Sequence, residues 1–198
     1  MVNSKDSELI DRFVLSFAKL DALRADSCLD PTAWELAEGE PDGSGRRAWR
    51  AVKHLTDPAC LDPLYAVLPA RFPPLYESLV LNYRWADVDL RSFTLFANPV
   101  GEDLKPLLNR ISADQHLWNH LIRAGYIPFG KGTGGDYDPV CFELESRRQN
   151  ADFRIVKIDH EGILCFDRLK VVAEIALSFR HLVLKTIESA DKSAEKNS

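Results

Sequence analysis

The stretch at residues 126–144, YIPFGKGTGGDYDPVCFEL, limits the folding options of this chain more than any other. An apolar run at 126–129 meets a glycine-rich loop at 130–135 and then an acidic turn at 136–138. The segment that follows carries Val140, Phe142 and Leu144 in strict alternation, which places all three on one face of a strand. Strand-like pieces at 140–145, 153–158 and 163–166 are joined by short polar links, 146–152 and Asp159-His160-Glu161-Gly162. A parallel crossover needs about a dozen residues or more, so these pieces can pair only as antiparallel neighbours.

Four glycines fall within 130–135, and glycine alone takes φ > 0 without a steric penalty. Gly130, Gly132 and Gly135 match the dinucleotide fingerprint G-x-G-x-x-G. That fingerprint works when a helix N-terminus follows and aims free N–H groups at a pyrophosphate. Here the glycines run into Asp-Tyr-Asp-Pro and a strand, and Asp136 and Asp138 would repel phosphate. Lys131 sits among the glycines, not after them, so a phosphate-binding G-x-x-x-x-G-K-[ST] loop is excluded as well. The preferred reading is structural: Gly134, Gly135, Asp136 and Asp138 build a turn, with φ > 0 at one or both glycines and the carboxylates bonded to nearby N–H groups.

Around this centre the pattern is helices, an antiparallel meander and a closing helix. Residues 7–25 read as an amphipathic helix through Leu9, Ile10, Phe13, Val14 and Phe17. Asp30-Pro31 opens a short helix through Trp34 and Leu36, 38–45 is an exposed loop, and 46–55 returns to helical spacing. Asp62-Pro63 and Pro73-Pro74 open two more helices, and 88–96 reads as an irregular strand region. Ser112-Ala113-Asp114-Gln115 fits a capping box for a helix ending at Gly125. One long helix is expected over 169–188. The expected class is α+β: a sheet, antiparallel or mixed, backed by helices. Residues 1–60 form a helical extension packed on the core, 61–188 the α+β domain and 189–198 a disordered tail.

The chain has 198 residues, with 25 Lys and Arg against 30 Asp and Glu, a net charge of −5. It lacks the clustered basic charge of a nucleic-acid binder. No apolar run is long enough to span a bilayer, and the first residues show no apolar secretory core. Cys28, Cys60, Cys141 and Cys165 are scattered without a C-x-x-C pair, which suits reduced thiols in a cytoplasmic protein.

Several groupings carry chemistry on paper. His116 and His120 have the spacing of a zinc pair, but Leu117 stands where a metalloprotease has its glutamate, so two ordinary helix histidines are the better reading. Cys165 with His160, or Cys141 with any histidine, could form a thiol nucleophile and base, yet Cys165 lies in a short apolar run where thiols are inert. Asp136 and Asp138, with Glu143 and Glu145, could bind a hard cation or act as acid and base, against the turn chemistry already given. Arg147-Arg148 reads as a solvated turn. The segment 83–91, with Trp85, Asp87, Asp89 and Arg91, is the stronger candidate for binding a protein partner. Aromatic and arginine side chains concentrate at interface centres, and the acids would suit a basic partner if Trp85 is exposed. Core packing of Trp85 is the alternative. No catalytic residue, metal or cofactor is assigned.

Tyr126-Ile127-Pro128-Phe129, the Gly134-Gly135-Asp136 turn, the strand at 140–144, Phe153-Arg154-Ile155-Val156 and Ala176-Leu177-Ser178-Phe179 occur in an order and spacing that resemble the SUKH superfamily. Leu68-Pro69 and the helix at 74–81 resemble the proline-and-helix segment that opens that family, so the similarity covers residues 61–188. Asn82-Tyr83 stands where the family commonly has Asn-Gly, and the first sixty residues are an addition. The family includes fungal regulators of cell-wall synthesis and bacterial immunity proteins that neutralise polymorphic toxins by binding them. The resemblance therefore implies a non-enzymatic protein-binding module, plausible as an immunity protein with a toxin domain as its partner. An intracellular regulatory scaffold of the same family is one alternative. Another is a small-molecule-binding protein or hydrolase using the 130–138 loop with His160.

Overall fold

A computed structural model describes residues 4–20, 24–26, 36–40, 43, 46–101, 103–146 and 152–196. Helix α1 (Ser4–Lys19) is followed by short strands β1 (Arg24–Asp26), β2 (Ala37–Glu38), β3 (Arg46–Trp49) and β4 (Val52–Lys53). Helices α2 (Asp62–Tyr65) and α3 (Pro74–Asn82) lead to β5 (Tyr83–Arg84), β6 (Val88–Asp89) and β7 (Thr94–Leu95). Then come α4 (Lys105–Ile111), α5 (Gln115–Arg123), β8 (Tyr126–Lys131), β9 (Pro139–Glu143), β10 (Arg154–Ile158), α6 (His160–Phe166), β11 (Val171–Ala176) and α7 (Phe179–Lys196).

The protein is α+β. Its main sheet has six strands in the order β11-β10-β9-β8-β7-β6, and every pairing is antiparallel. Alternation sorts the side chains as the sequence implies. Ile127, Phe129, Val140, Phe142 and Ile155 enter the main core with Phe13 of α1, Tyr76 of α3 and Phe179 of α7, and Leu144 packs at its edge. The other face carries Cys141, Val156 and Ile158, covered by Leu121 of α5 and Ile163 of α6. No helix among the described residues is long and apolar enough to cross a membrane.

Five expectations are corrected by the structure. Residues 46–55 hold strands, not a helix: β3 lies between β1 and β2, and Val52 and Lys53 face Arg84 and Tyr83. Trp49 and Val52, three apart, fit a helical stripe equally well, and only the partner strands decide. The expected strand at 163–166 is part of α6. Asp159 caps it by accepting from the Gly162 N–H at 2.9 Å, and Asp138 accepts from the His160 N–H at 3.0 Å. The expected helix over 169–188 splits into β11 and α7. The segment rich in β-branched Val171, Val172 and Ile175 pairs with β10 through Val171, Ala173, Glu174 and Ala176, and the Ser178 hydroxyl accepts from the His181 N–H, starting a new helix. That helix continues to Lys196 with Ala190 buried, so the expected disordered tail is helical up to there. The capping box shifts too: Ser112 closes α4, and Asp114 caps α5 by accepting from the His116 and Leu117 N–H groups. The short helix expected from Asp30 through Leu36 lies, except for Leu36 itself, outside the described residues, as does the Arg147-Arg148 turn.

Candidate functional site

The glycine-rich segment is the connection of the β8–β9 hairpin. Gly134 and Gly135 have φ of +63° and +90°, as expected of a turn that L side chains resist. The Gly132 N–H donates to the Asp138 carbonyl at 2.9 Å and closes the loop. Asp136 accepts from the Asp138 N–H at 2.9 Å and from the Lys157 ammonium at 2.8 Å. Partial burial works to raise the Asp136 carboxyl, but Lys157 and the Asp138 N–H outweigh it and hold it below its ordinary value. The hydrogen bond to Asp136 in turn raises the Lys157 ammonium.

Asp138 reaches a different element. Its Oδ1 accepts from Nδ1 of His160 at 2.7 Å and from the His160 backbone N–H at 3.0 Å. The carboxylate thus fixes both the start of α6 and the orientation of the imidazole. In the uncharged ring, an Nδ1–H given to Asp138 makes Nε2 the acceptor. Nε2 has no hydrogen-bond partner among the described residues.

His160 stands on the wall of an open cleft of about 500 Å³. Asp114, Leu117, Trp118 and Leu121 of α5 recur at i, i+3, i+4 and i+7 and form one side. His160 and Leu164, one turn apart on α6, form another. Pro128, Lys131, Tyr137 and Pro139 of the hairpin supply the floor and lip, and Phe96 and Arg110 close the far end. Tyr137 is 63% exposed and Leu164 46%. Both cations of the cleft sit over rings, Arg110 at 5.1 Å from the centre of Phe96 and Lys131 at 5.6 Å from that of Tyr137. Arg110 also pairs with Asp87.

The 83–91 segment does not present the surface its sequence suggests. Trp85 is fully buried, and its indole N–H donates to the Phe96 carbonyl at 2.9 Å. Tyr83, Arg84, Ala86, Val88 and Leu90 are buried with it. Arg84 spends its guanidinium on the Val80 and Tyr83 carbonyls and the Thr56 hydroxyl. Asp87 accepts from the Ala97 N–H, whereas Asp89 bonds the N–H of Arg91, whose φ is +69°. The aromatic side chain is core, so of the expected partner-binding set Trp85, Asp87, Asp89 and Arg91 only Asp89 and Arg91 are exposed, and the set has no exposed aromatic anchor.

One histidine of the pair is likewise occupied. Nδ1 of His120 contacts the His116 carbonyl and Nε2 contacts Asp167 of α6, which raises its pKa, the backbone contact first. Among the described residues no three His, Cys, Asp or Glu side chains gather to hold a metal. Burial pushes the Cys141 thiol up, away from nucleophilic character, and Cys165 is exposed on α6, not set in an apolar strand. Glu143 is buried against Arg154, facing neither Asp136 nor Asp138 in a carboxylate pair.

Trp118, Tyr137 and Leu164, which line the cleft, are not singled out by the sequence. The available signal was the i, i+4 pair of His160 and Leu164, hidden because the apolar run at 163–166 reads as a strand. No protein-family model, curated protein or solved structure matches the chain.

Proposed function

We propose that this chain is a protein-binding module and that a partner docks in the cleft between α5, α6 and the β8–β9 hairpin. The observation that carries this reading is an open apolar cleft of about 500 Å³ with Tyr137 and Leu164 exposed at its edge. Water-exposed aromatic and leucine side chains around a concave apolar surface mark binding sites. The resemblance of residues 61–188 to the SUKH superfamily supports the finer reading of an immunity protein that neutralises a toxin domain.

The test is to co-express the chain with a candidate toxin domain taken from a neighbouring reading frame and score growth and affinity. Wild type should protect cells and bind the purified domain. Leu164→Arg, an exposed position on α6, should melt like wild type and lose at least tenfold in affinity. Undiminished protection by Leu164→Arg would show that the cleft is not the docking site, and absence of both protection and binding in wild type would remove the immunity reading.

The Asp138–His160 pair favours a second reading, a small-molecule-binding protein or hydrolase, because a carboxylate-oriented imidazole on a cleft wall is a general-base arrangement. A thermal-shift panel of nucleotides, sugars and divalent metals separates the two. A rise in Tm with one class, abolished in His160→Leu, would support this reading, and a flat response would remove it.

A further inference from the structure

The cleft is built for a narrower class of group than its volume alone implies. Its walls are apolar, which selects an apolar occupant. Its charges are mixed. Asp114 on the wall and Asp138 behind His160 disfavour an anion, while Arg110 and Lys131 on the wall disfavour a cation. Asp114 is committed to the N-terminus of α5 and Arg110 to Asp87. What is left on the wall is the Lys131 ammonium, held only over the Tyr137 ring, the Tyr137 hydroxyl, and Nε2 of His160, the last with no hydrogen-bond partner among the described residues. Asp138 holds Nδ1–H, so in the uncharged ring that nitrogen is an acceptor waiting for a donor.

Tyr137 meets the His160 ring edge to face, with centroids 6.2 Å apart, and Trp118 lines the same space. Aromatic walls favour an aromatic occupant, since ring pairs gain beyond the area they bury. The occupant that satisfies all of these conditions is neutral, flat and apolar, with one N–H or O–H donor at its edge. Phenol and indole side chains meet that description. Resting on the reading that a partner protein docks here, we infer that the cleft receives a tyrosine or tryptophan side chain of that partner, whose O–H or indole N–H donates to Nε2 of His160.

The inference can be tested on the full chain without the partner. The probes are N-acetyl-tyrosinamide, N-acetyl-tryptophanamide and N-acetyl-phenylalaninamide, titrated into isotope-labelled protein and followed by amide shifts. All three should perturb the amides of Leu117, Trp118, Leu121 and Leu164. The tyrosine and tryptophan amides should bind on the order of threefold to tenfold tighter than the phenylalanine amide, the size of one net hydrogen bond. In His160→Leu that preference should vanish while phenylalaninamide affinity is kept. In His160→Gln, whose amide oxygen can still accept, it should return in part.

Equal affinity for the three amides in wild type, or a preference that survives in His160→Leu, would overturn the inference. So would shifts confined to residues outside the cleft. Failure here is distinguishable from failure of the docking reading. If the amides discriminate as expected but Leu164→Arg still binds the toxin domain, the partner docks elsewhere, and the cleft is an aromatic site that does not take this partner's side chain. If Leu164→Arg loses the domain while the amides do not discriminate, docking stands and the aromatic anchor is wrong.

Discussion

Gly132 lies so close to Asp136 that a Cβ built on it would overlap the carboxyl group and the Asp136 Cβ as well. The aspartate cannot yield by turning its far end alone, so Gly132→Ala should break the bonds from Asp138 N–H and Lys157. At about 1 kcal/mol for each hydrogen bond, the loss should be about 2 kcal/mol. Gly135, at φ +90°, has nothing within 4 Å of such a Cβ, so Gly135→Ala suffers only backbone strain, about 1 to 2 kcal/mol. Asp136→Asn keeps an acceptor for the Asp138 N–H and loses only a partly buried ion pair, worth about 1 kcal/mol. Denaturant melts of the three variants should rank in that order, and Asp136→Asn as the most damaging would mean that Asp136 has a role beyond the turn. The sign of its pH dependence follows from its depressed pKa. The pair's contribution is fully present above the ordinary value of 3.8 and lost as pH falls through the lower folded value.

Helix α6 has seven residues and is held at both ends from outside. Asp138 and Asp159 satisfy its first N–H groups, and at its far end Asp167, in the left-handed region at φ +51°, reaches across to His120 of α5. Bonding to the His116 carbonyl and to Asp167 raises the His120 pKa above 6.5. A raised folded pKa gives stability that is complete below pH 6.5 and disappears as pH climbs through the folded value. Asp167→Asn tolerates the left-handed conformation and removes the charge. Its Tm should therefore fall below that of wild type at pH 5.5 and converge with it by pH 8.5. A deficit that grows with pH would show that the latch between α5 and α6 is not electrostatic.

Across the whole molecule, one aromatic cluster joins the helices to the sheet. The Tyr76 ring lies 4.9 to 5.5 Å from those of Phe72, Phe129, Phe142 and Phe179, and Phe13 of α1 rests on Phe179 at 6.1 Å. The Tyr76 hydroxyl is fully buried with no hydrogen-bond partner among the described residues, and burial drives its pKa far above the usual range for tyrosine. Tyr76→Phe should leave stability unchanged or raise it, because it deletes an unsatisfied polar group. Tyr76→Ala should cost about 3 to 5 kcal/mol. Because α1 and the sheet share this cluster, far-ultraviolet and aromatic signals should melt together, and two transitions would show that α1 is independent of the sheet. Much of this frame was legible in the sequence. The glycine-rich turn leading into β9, the positive φ of Gly134 and Gly135, the shared face of Val140 and Phe142, and helices α1, α3 and α5 follow from turn chemistry and periodicity over a few neighbouring residues. Residues 46–55, 163–166 and 169–188 were misread because their short apolar runs satisfy the helical and strand periods alike. What resolves each is a distant partner: β1 and β2 for β3, Asp138 for α6 and β10 for β11. The same holds for the candidate site. Burial of Trp85 and exposure of Tyr137 and Leu164 depend on which surfaces close over them, and the cleft draws on residues from Phe96 to Leu164. Local sequence determines how each segment prefers to coil, whereas long-range packing alone decides which faces meet and which stay open to a partner.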